Sequence, residues 1–219
     1  MPALLAGLTL ALAACGGSGG GSNSGSIEDL LKQMALRAED LPAGYTPGEG
    51  QFASNEDVAL GDQEKLAKLQ QQGRLKGYDI AYDRGDVSET VAPFVGVESA
   101  VNLYETDDGA SRGYADKVDE ARKTDWEQAL GFGETQTQEV PRKFGDETLW
   151  LRVTGVVSVG PSQTSVLVID DYILLRQGRA YGYLRLFSAK EGSSDRSSLM
   201  DEVAALAQKQ LRRIKDGLR

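Results

Sequence analysis

Cys15 carries the most distinctive reactive group in this chain, because it is the only cysteine among 219 residues. A single thiol cannot form an intramolecular disulfide, whatever the redox state of its compartment. The residues before it, Met1–Ala14, are uncharged, rich in leucine and alanine, and end in small side chains. This run matches the apolar core of a secretion signal and is shorter than the ~20 residues of a membrane span. We therefore predict a signal peptide over residues 1–14.

The segment Leu12-Ala13-Ala14-Cys15 resembles the lipobox of bacterial lipoproteins and directly follows the apolar run. The resemblance implies that a diacylglyceryl group is attached to the Cys15 sulfur and that the signal is cut after Ala14. Two acyl chains give stable anchoring, at about 0.8 kcal/mol for each buried methylene. The alternative is a buried N-terminal helix with a chance cysteine, which is disfavoured because fourteen uncharged residues lack any polar face. We expect a protein that is anchored to a membrane without spanning it.

Catalytic groups are hard to find, because the chain has no histidine. This excludes Ser-His-Asp and Cys-His catalysis and histidine-ligated metals. Asp170 and Asp171 are adjacent on a predicted strand, so they point to opposite faces and cannot act as one acid–base pair. Asp171 enters an aliphatic face and needs an arginine or a helix N-terminus as partner. We predict a protein that is not an enzyme and needs no cofactor.

Two groups of acids come nearest to a calcium site. Asp79, Asp83 and Asp86 follow one strand, and Asp107 stands beside Asp108 at the start of a predicted helix. Neither group has the spacing of a calcium loop, with its central glycine and distal glutamate. We interpret them as solvated strand edges and helix caps, and we predict no metal site.

A β-hairpin is predicted from two strands near 164–176 and 179–188. Gln177-Gly178 between them fits a two-residue turn, because glycine tolerates positive φ. In that register Asp170 lies opposite Arg185, and we expect an ion pair between these two side chains.

One face of this hairpin is the best candidate for a binding surface. Strand alternation places on it Tyr172, Leu174, Tyr181, Tyr183, Arg185 and Phe187. Tyrosine combines an apolar ring with a polar tip, which suits sugars, lipids or protein partners. We predict Tyr172, Tyr181, Tyr183 and Arg185 as ligand-binding residues. The alternative is that a helix over 107–130 covers this face, so that the tyrosines are core.

The elements around the hairpin predict an α+β fold. An amphipathic helix starts at Ser26, the helix over 107–130 is capped by Asp107 or Asp108, and a final helix covers about 195–215. Antiparallel strands with helices at the start, middle and end predict one layered domain, a twisted, mainly antiparallel sheet covered by helices. We expect the aliphatic face of the hairpin to pack under the final helix.

The chain divides into a signal over 1–14, a lipidated cysteine and flexible Gly/Ser tether over 15–26, and one extracytoplasmic domain over 27–219. Residues 16–26 contain six glycines, four serines and one asparagine. As a random coil they reach roughly 17–20 Å, which exceeds the Debye length of about 8 Å. With a net charge of −9, the domain is thus held beyond the range of repulsion from anionic lipids.

The segment Ala38-Glu39-Asp40-Leu41-Pro42-Ala43-Gly44-Tyr45, together with the late hairpin and helix, resembles bacterial extracytoplasmic lipoproteins with a PsbP-like α/β/α sandwich. The resemblance implies a shape for residues 27–219. Members of that group are mostly non-catalytic or of unknown function, so it implies no particular activity.

These observations predict a membrane-anchored extracytoplasmic lipoprotein, at the cell surface or in the periplasm, whose non-catalytic domain binds a ligand or partner at the cell envelope. The expected partners are the membrane, through the lipid anchor, and an envelope protein or a small apolar ligand. Nucleic acid is excluded, because a chain of net charge −9 lacks the concentrated positive surface that displaces phosphate counterions. One alternative is a carrier of a lipid or apolar solute between sheet and helices, which requires a dry cavity of several hundred Å³. The other is a carboxylate-based hydrolase of cell-wall polysaccharide.

Overall fold

A computed structural model describes residues 24–84, 94–159, 164–191 and 197–219 of the chain. The predicted signal peptide, Cys15 and most of the tether lie outside the described residues. The helices are α1 Ser24–Met34, α2 Asn55–Ala59, α3 Gln63–Gln71, α4 Asp107–Lys123, α5 Trp126–Leu130 and α6 Ser197–Gly217. The first helix therefore begins two residues before Ser26, inside the segment predicted as tether.

The described strands form one antiparallel sheet. They are β1 Tyr45–Pro47, β2 Gln51–Ala53, β3 Arg74–Arg84, β4 Gly96–Tyr104, β5 Gly133–Glu139, β6 Glu147–Val159, β7 Thr164–Gln177 and β8 Ala180–Glu191. Their order is β1-β3-β4-β8-β7-β6-β5, with β2 also pairing with β3. Helices pack against this open sheet, so the predicted α+β class is confirmed. Strand β5 was not predicted from the sequence.

One face of the sheet packs under α1 and α6, as the aliphatic pattern predicts. The hairpin of β7 and β8 contributes Ile169, Ile173, Leu175, Ala180, Leu184 and Leu186, and α6 contributes Leu199, Val203, Leu206, Ala207 and Ile214. Gly182 leaves room here for Gln210, whose side-chain nitrogen donates a hydrogen bond to the Ala100 carbonyl at 2.9 Å. The final helix is thus held by apolar burial and by polar contacts such as this one.

The opposite face packs under α4 and α5, and it is aromatic. The ring centroids of Tyr104 and Tyr181 lie 5.8 Å apart, and those of Trp126 and Tyr172 lie 5.4 Å apart. The prediction that Asp107 or Asp108 caps α4 was wrong: the N-cap is Thr106, whose hydroxyl accepts a hydrogen bond from the Gly109 amide at 3.0 Å. Asp107 and Asp108 instead occupy the first turn, where their negative charges interact favourably with the helix dipole.

The turn of the hairpin is Gly178-Arg179, one residue later than predicted, because Gln177 pairs with Ala180. Gly178 still supplies the positive φ, at 53°. The predicted register was therefore wrong by two positions, which leaves every side chain on its predicted face. The Asp170–Arg185 ion pair is confirmed, at 2.6 Å between Oδ2 and Nη2.

Candidate functional site

The four predicted ligand residues lie together on the face under α4, at different depths. Tyr172 and Tyr181 are 7% and 8% exposed and belong to the core beneath α4. Tyr183 and Arg185 are half-buried at its margin. The surroundings of Tyr172 and Tyr181 therefore match the alternative in which a helix covers these tyrosines and they belong to the core. A ligand-binding role for the four residues stays a prediction.

At this margin the charged groups form a network with one another. The Tyr183 hydroxyl donates a hydrogen bond to Glu98 at 2.7 Å, and Arg185 binds Asp170 through both Nε and Nη2. Burial raises the pKa of the Asp170 carboxyl. Burial and the nearby Glu98 charge also raise the pKa of Asp79. Tyr183, Glu98, Arg185 and Asp170 thus already have protein partners, which suits a structural network better than a reactive site.

The other hairpin face buries a second charge. Asp171 is 0% exposed, and its two oxygens accept hydrogen bonds from Arg152 Nε and Nη2, each at 2.8 Å. The Trp150 indole nitrogen donates a third, at 2.6 Å. The partner predicted for Asp171 is confirmed as an arginine. The Asp171 carboxylate is bound through both oxygens by Arg152 and is enclosed by protein. It therefore has a structural role in the fold and no open side for a substrate.

The acidic groups weighed as calcium ligands do not converge. Asp86 lies outside the described residues. Asp108 forms an ion pair with Arg112 at 2.5 Å along α4. Over the described ranges, no three acidic or sulfur side chains are placed to hold a metal ion.

A groove with a volume of about 720 Å³ lies between α4 and the connection from β5 to β6. Its apolar part is formed by Tyr114 and Val118 of α4 and by Leu149 of β6. Burial raises the pKa of the Tyr114 hydroxyl, which therefore stays neutral and can donate or accept a hydrogen bond. This groove was not predicted from the sequence. The signal for β5 is limited to two β-branched residues, the threonines at 135 and 137 between Gly133 and Pro141, without apolar alternation.

Charged side chains of both signs form the rim of the groove. Each acid has a cation: Glu139 pairs with Arg122 at 3.2 Å, and Asp119 pairs with Lys123 at 2.5 Å. Lys143, by contrast, has no ion-pair partner within the described part of the chain.

The remaining acid of the rim, Glu147, accepts hydrogen bonds from Arg176 and from the Ser111 hydroxyl. Another cation, Arg142, reaches out of the groove to Asp201 at 3.3 Å, and that pair is well exposed. The groove thus offers an apolar floor, carboxylates that are already paired with cations, and the accessible ammonium group of Lys143.

No protein-family model matches this chain, and no curated protein matches it significantly. One similar solved structure is the extracellular domain of PknH from Mycobacterium tuberculosis, with a TM-score of 0.49 and 11% identity over 85% of this chain and 96% of that one. Another is the human StarD13 (DLC2) lipid transfer and protein localization domain, with a TM-score of 0.18 and 12% identity over 74% of this chain and 96% of that one. Likenesses this distant carry no conclusion about function. Among the helices within the described ranges, none is long and apolar enough to cross a bilayer.

Proposed function

We propose that this chain is a lipid-anchored extracytoplasmic protein whose domain binds a ligand at the cell envelope, in the groove beside α4. The groove carries the proposal, since its volume of about 720 Å³ lies within the roughly 300–1,000 Å³ of small-molecule sites. An apolar floor with a few convergent polar groups is also the usual composition of such sites. The anchor is supported by the lipobox-like segment before Cys15.

The ligand that fits best is amphipathic, with an apolar body and an anionic group. Tyr114, Val118 and Leu149 offer apolar and aromatic contact to the body. Lys143 is the rim cation whose charge is not already matched by a carboxylate. An anion at this position would gain a charge-assisted hydrogen bond. A lipid carrier requires a dry, enclosed cavity, whereas the rim of this groove is open and charged. The groove therefore favours a ligand-binding domain over a carrier of a lipid or apolar solute.

The proposed role is non-catalytic. A carboxyl group that acts as a general acid or base must be open to the substrate. Glu139 and Glu147 both accept hydrogen bonds from arginines. These contacts support electrostatic recognition in the groove and disfavour carboxylate-based hydrolysis.

The anchor is tested by producing the full-length chain in a bacterial host and measuring the mass of its N-terminal peptide. We expect loss of residues 1–14, an acylated Cys15 and recovery in the membrane fraction. The Cys15→Ser variant should keep its signal and carry no acyl mass. A wild-type chain that keeps its first fourteen residues without acylation would contradict the anchor.

The groove is tested with anilinonaphthalene sulfonate, which joins an apolar body to an anionic group. We expect Val118→Trp to fill the floor and to weaken binding by about tenfold, a loss of ~1.4 kcal/mol. The matched control is Val156→Trp, since Val156 is 39% exposed and does not line the groove. Equal affinity for the two variants, measured by dye fluorescence, would remove the groove as the binding site.

A further inference from the structure

The two edges of the described sheet differ in how they are protected. At one edge, β1 and β2 are three residues each and β1 ends at Pro47. Short strands and proline are common ways to block pairing with another chain. At the other edge, β5 has seven residues, GETQTQE, without proline or a basic side chain. All but one of its residues are exposed.

Part of the β5 backbone is free to pair. After an irregularity between Gly133 and Gln136, the strand keeps a regular antiparallel register with β6 as far as Glu139. The Val140 amide next along the chain donates to the Trp150 carbonyl of β6 at 2.8 Å. Since backbone groups alternate in direction along a strand, Gln136 and Gln138 also face β6. Thr137 and Glu139 therefore present their N–H and C=O groups outward, where β5 is the last strand among the described residues.

Between Lys123 and Arg142, which pair with Asp119 and Asp201, the chain from α5 through β5 carries charge of one sign. Residues 124–141 contain four acids, Asp125, Glu127, Glu134 and Glu139, and no lysine or arginine. Arg122 of α4 pairs with Glu139, which leaves three acids in this segment to attract a cation. A second copy of this chain would bring the same acidic strand and a net charge of −9, so self-pairing is opposed by repulsion.

We propose that β5 accepts an extended basic segment of a partner polypeptide as an added strand. Main-chain hydrogen bonds to Thr137 and Glu139 supply the pairing, as in other cases of strand addition. The acids at 125, 127 and 134 supply attraction for lysine or arginine at the ends of the segment. Glu139 also contributes its side chain to the groove rim, whereas strand addition uses its main chain and that of Thr137, and the test does not depend on the anchor.

The probe is a blocked synthetic heptapeptide of alternating lysine and threonine, added to the full chain purified in detergent from whole bacterial cells, so that the protein is recovered with or without its anchor. We expect binding that weakens as salt is raised, with slower amide hydrogen exchange at Thr137 and Glu139. The Thr137→Pro variant removes an outward N–H without breaking a bond to β6, and should bind about tenfold more weakly. Thr137→Val keeps the N–H and should bind within about twofold of the wild type.

Two further comparisons check the charge and the partner. Glu134→Gln should weaken binding, and Glu64→Gln, an exposed acid on α3, should not. The proposal is overturned if Thr137→Pro binds as tightly as Thr137→Val while both variants unfold at the wild-type temperature. It is equally overturned if the peptide does not bind, if exchange slows only elsewhere, or if the chain alone forms a dimer with β5 protected.

Discussion

Asp170 and Arg185 are joined by three hydrogen bonds, from Nε to both carboxylate oxygens at 2.9 and 3.1 Å and from Nη2 at 2.6 Å, although the two residues are not opposite each other in the hairpin. Asp170 lies opposite Phe187, and Arg185 lies opposite Tyr172. The contact is diagonal, a distance that long side chains span on one face of an antiparallel pair. The longer reach of arginine thus preserves the ion pair in a register that differs from the expected one.

The two partners of this pair should respond unequally to substitution. Arg185→Met leaves a carboxylate that is 0% exposed without its cation, so we expect a loss of about 2–3 kcal/mol in unfolding free energy. This is below the ~3–5 kcal/mol of a fully buried pair, because the Arg185 side chain is 29% exposed. Asp170→Asn should cost less, since the freed guanidinium can be hydrated. Urea unfolding of both variants, and of the double variant as control, measures the difference; equal losses would contradict it.

Arg152→Met should be more damaging, because both partners in the Arg152–Asp171 pair are buried, at 7% and 0% exposure. We expect a loss of about 3–5 kcal/mol in unfolding free energy. Arg142→Met is the matched control, since the side chains of Arg142 and Asp201 are 44% and 78% exposed. That change should stay within about 0.5 kcal/mol. Similar denaturation midpoints for the two variants would show that the buried pair contributes little.

The tyrosines should resist ionisation until the chain unfolds. Burial raises the pKa of all eight hydroxyls, that of Tyr82 to about 12. A raised pKa means that the folded state favours the neutral phenol. Its stabilisation is complete below pH ~10 and is lost as the pH rises through the folded-state value.

Tyrosinate absorbance and circular dichroism, recorded together during an alkaline titration, should therefore change in one step. In denaturant the same titration should show an ordinary midpoint near pH ~10. A tyrosinate signal near pH ~10 in the native chain would contradict the burial of the tyrosine hydroxyls.

Gly113→Ala should destabilise the protein, although alanine usually favours a helix by about 1 kcal/mol over glycine. A Cβ at this position would lie 2.2 Å from the Tyr104 hydroxyl oxygen, so the buried Tyr104 ring or α4 would have to shift. We expect a loss of about 1–3 kcal/mol in unfolding free energy. Tyr104→Phe in the same chain should recover part of it. A more stable Gly113→Ala variant would contradict the close packing of α4.

Patterns of apolar residues predicted the part of the fold that surrounds the hairpin. The aliphatic residues of β7 and β8 repeat at the period of a strand, and those of α6 repeat at the period of a helix. Because one face of each element is buried, its apolar residues follow that period closely. The turn was less certain. Gly178 is the only glycine there, and a two-residue turn accepts glycine at either position, so the pattern left an error of one residue.

The groove could not be predicted in the same way. β5 is polar on both faces, so it has no apolar alternation to mark it as a strand. The groove depends on where α4 crosses the sheet, and this follows from long-range packing of small residues such as Gly113 against Tyr104. The diagonal contact of Asp170 with Arg185 also depends on tertiary register.

The inequality between the two sheet edges limits what assemblies are possible. A sheet that can be lengthened at both margins can grow without end, as fibrils do. Here the short β1 and β2 close one margin of the described sheet, so copies of this domain cannot stack edge to edge in a continuing series through β5 of one copy and β1 of the next. Complexes built through this domain should therefore extend from the β5 side only, and the domain itself should not form open fibrils as its concentration rises.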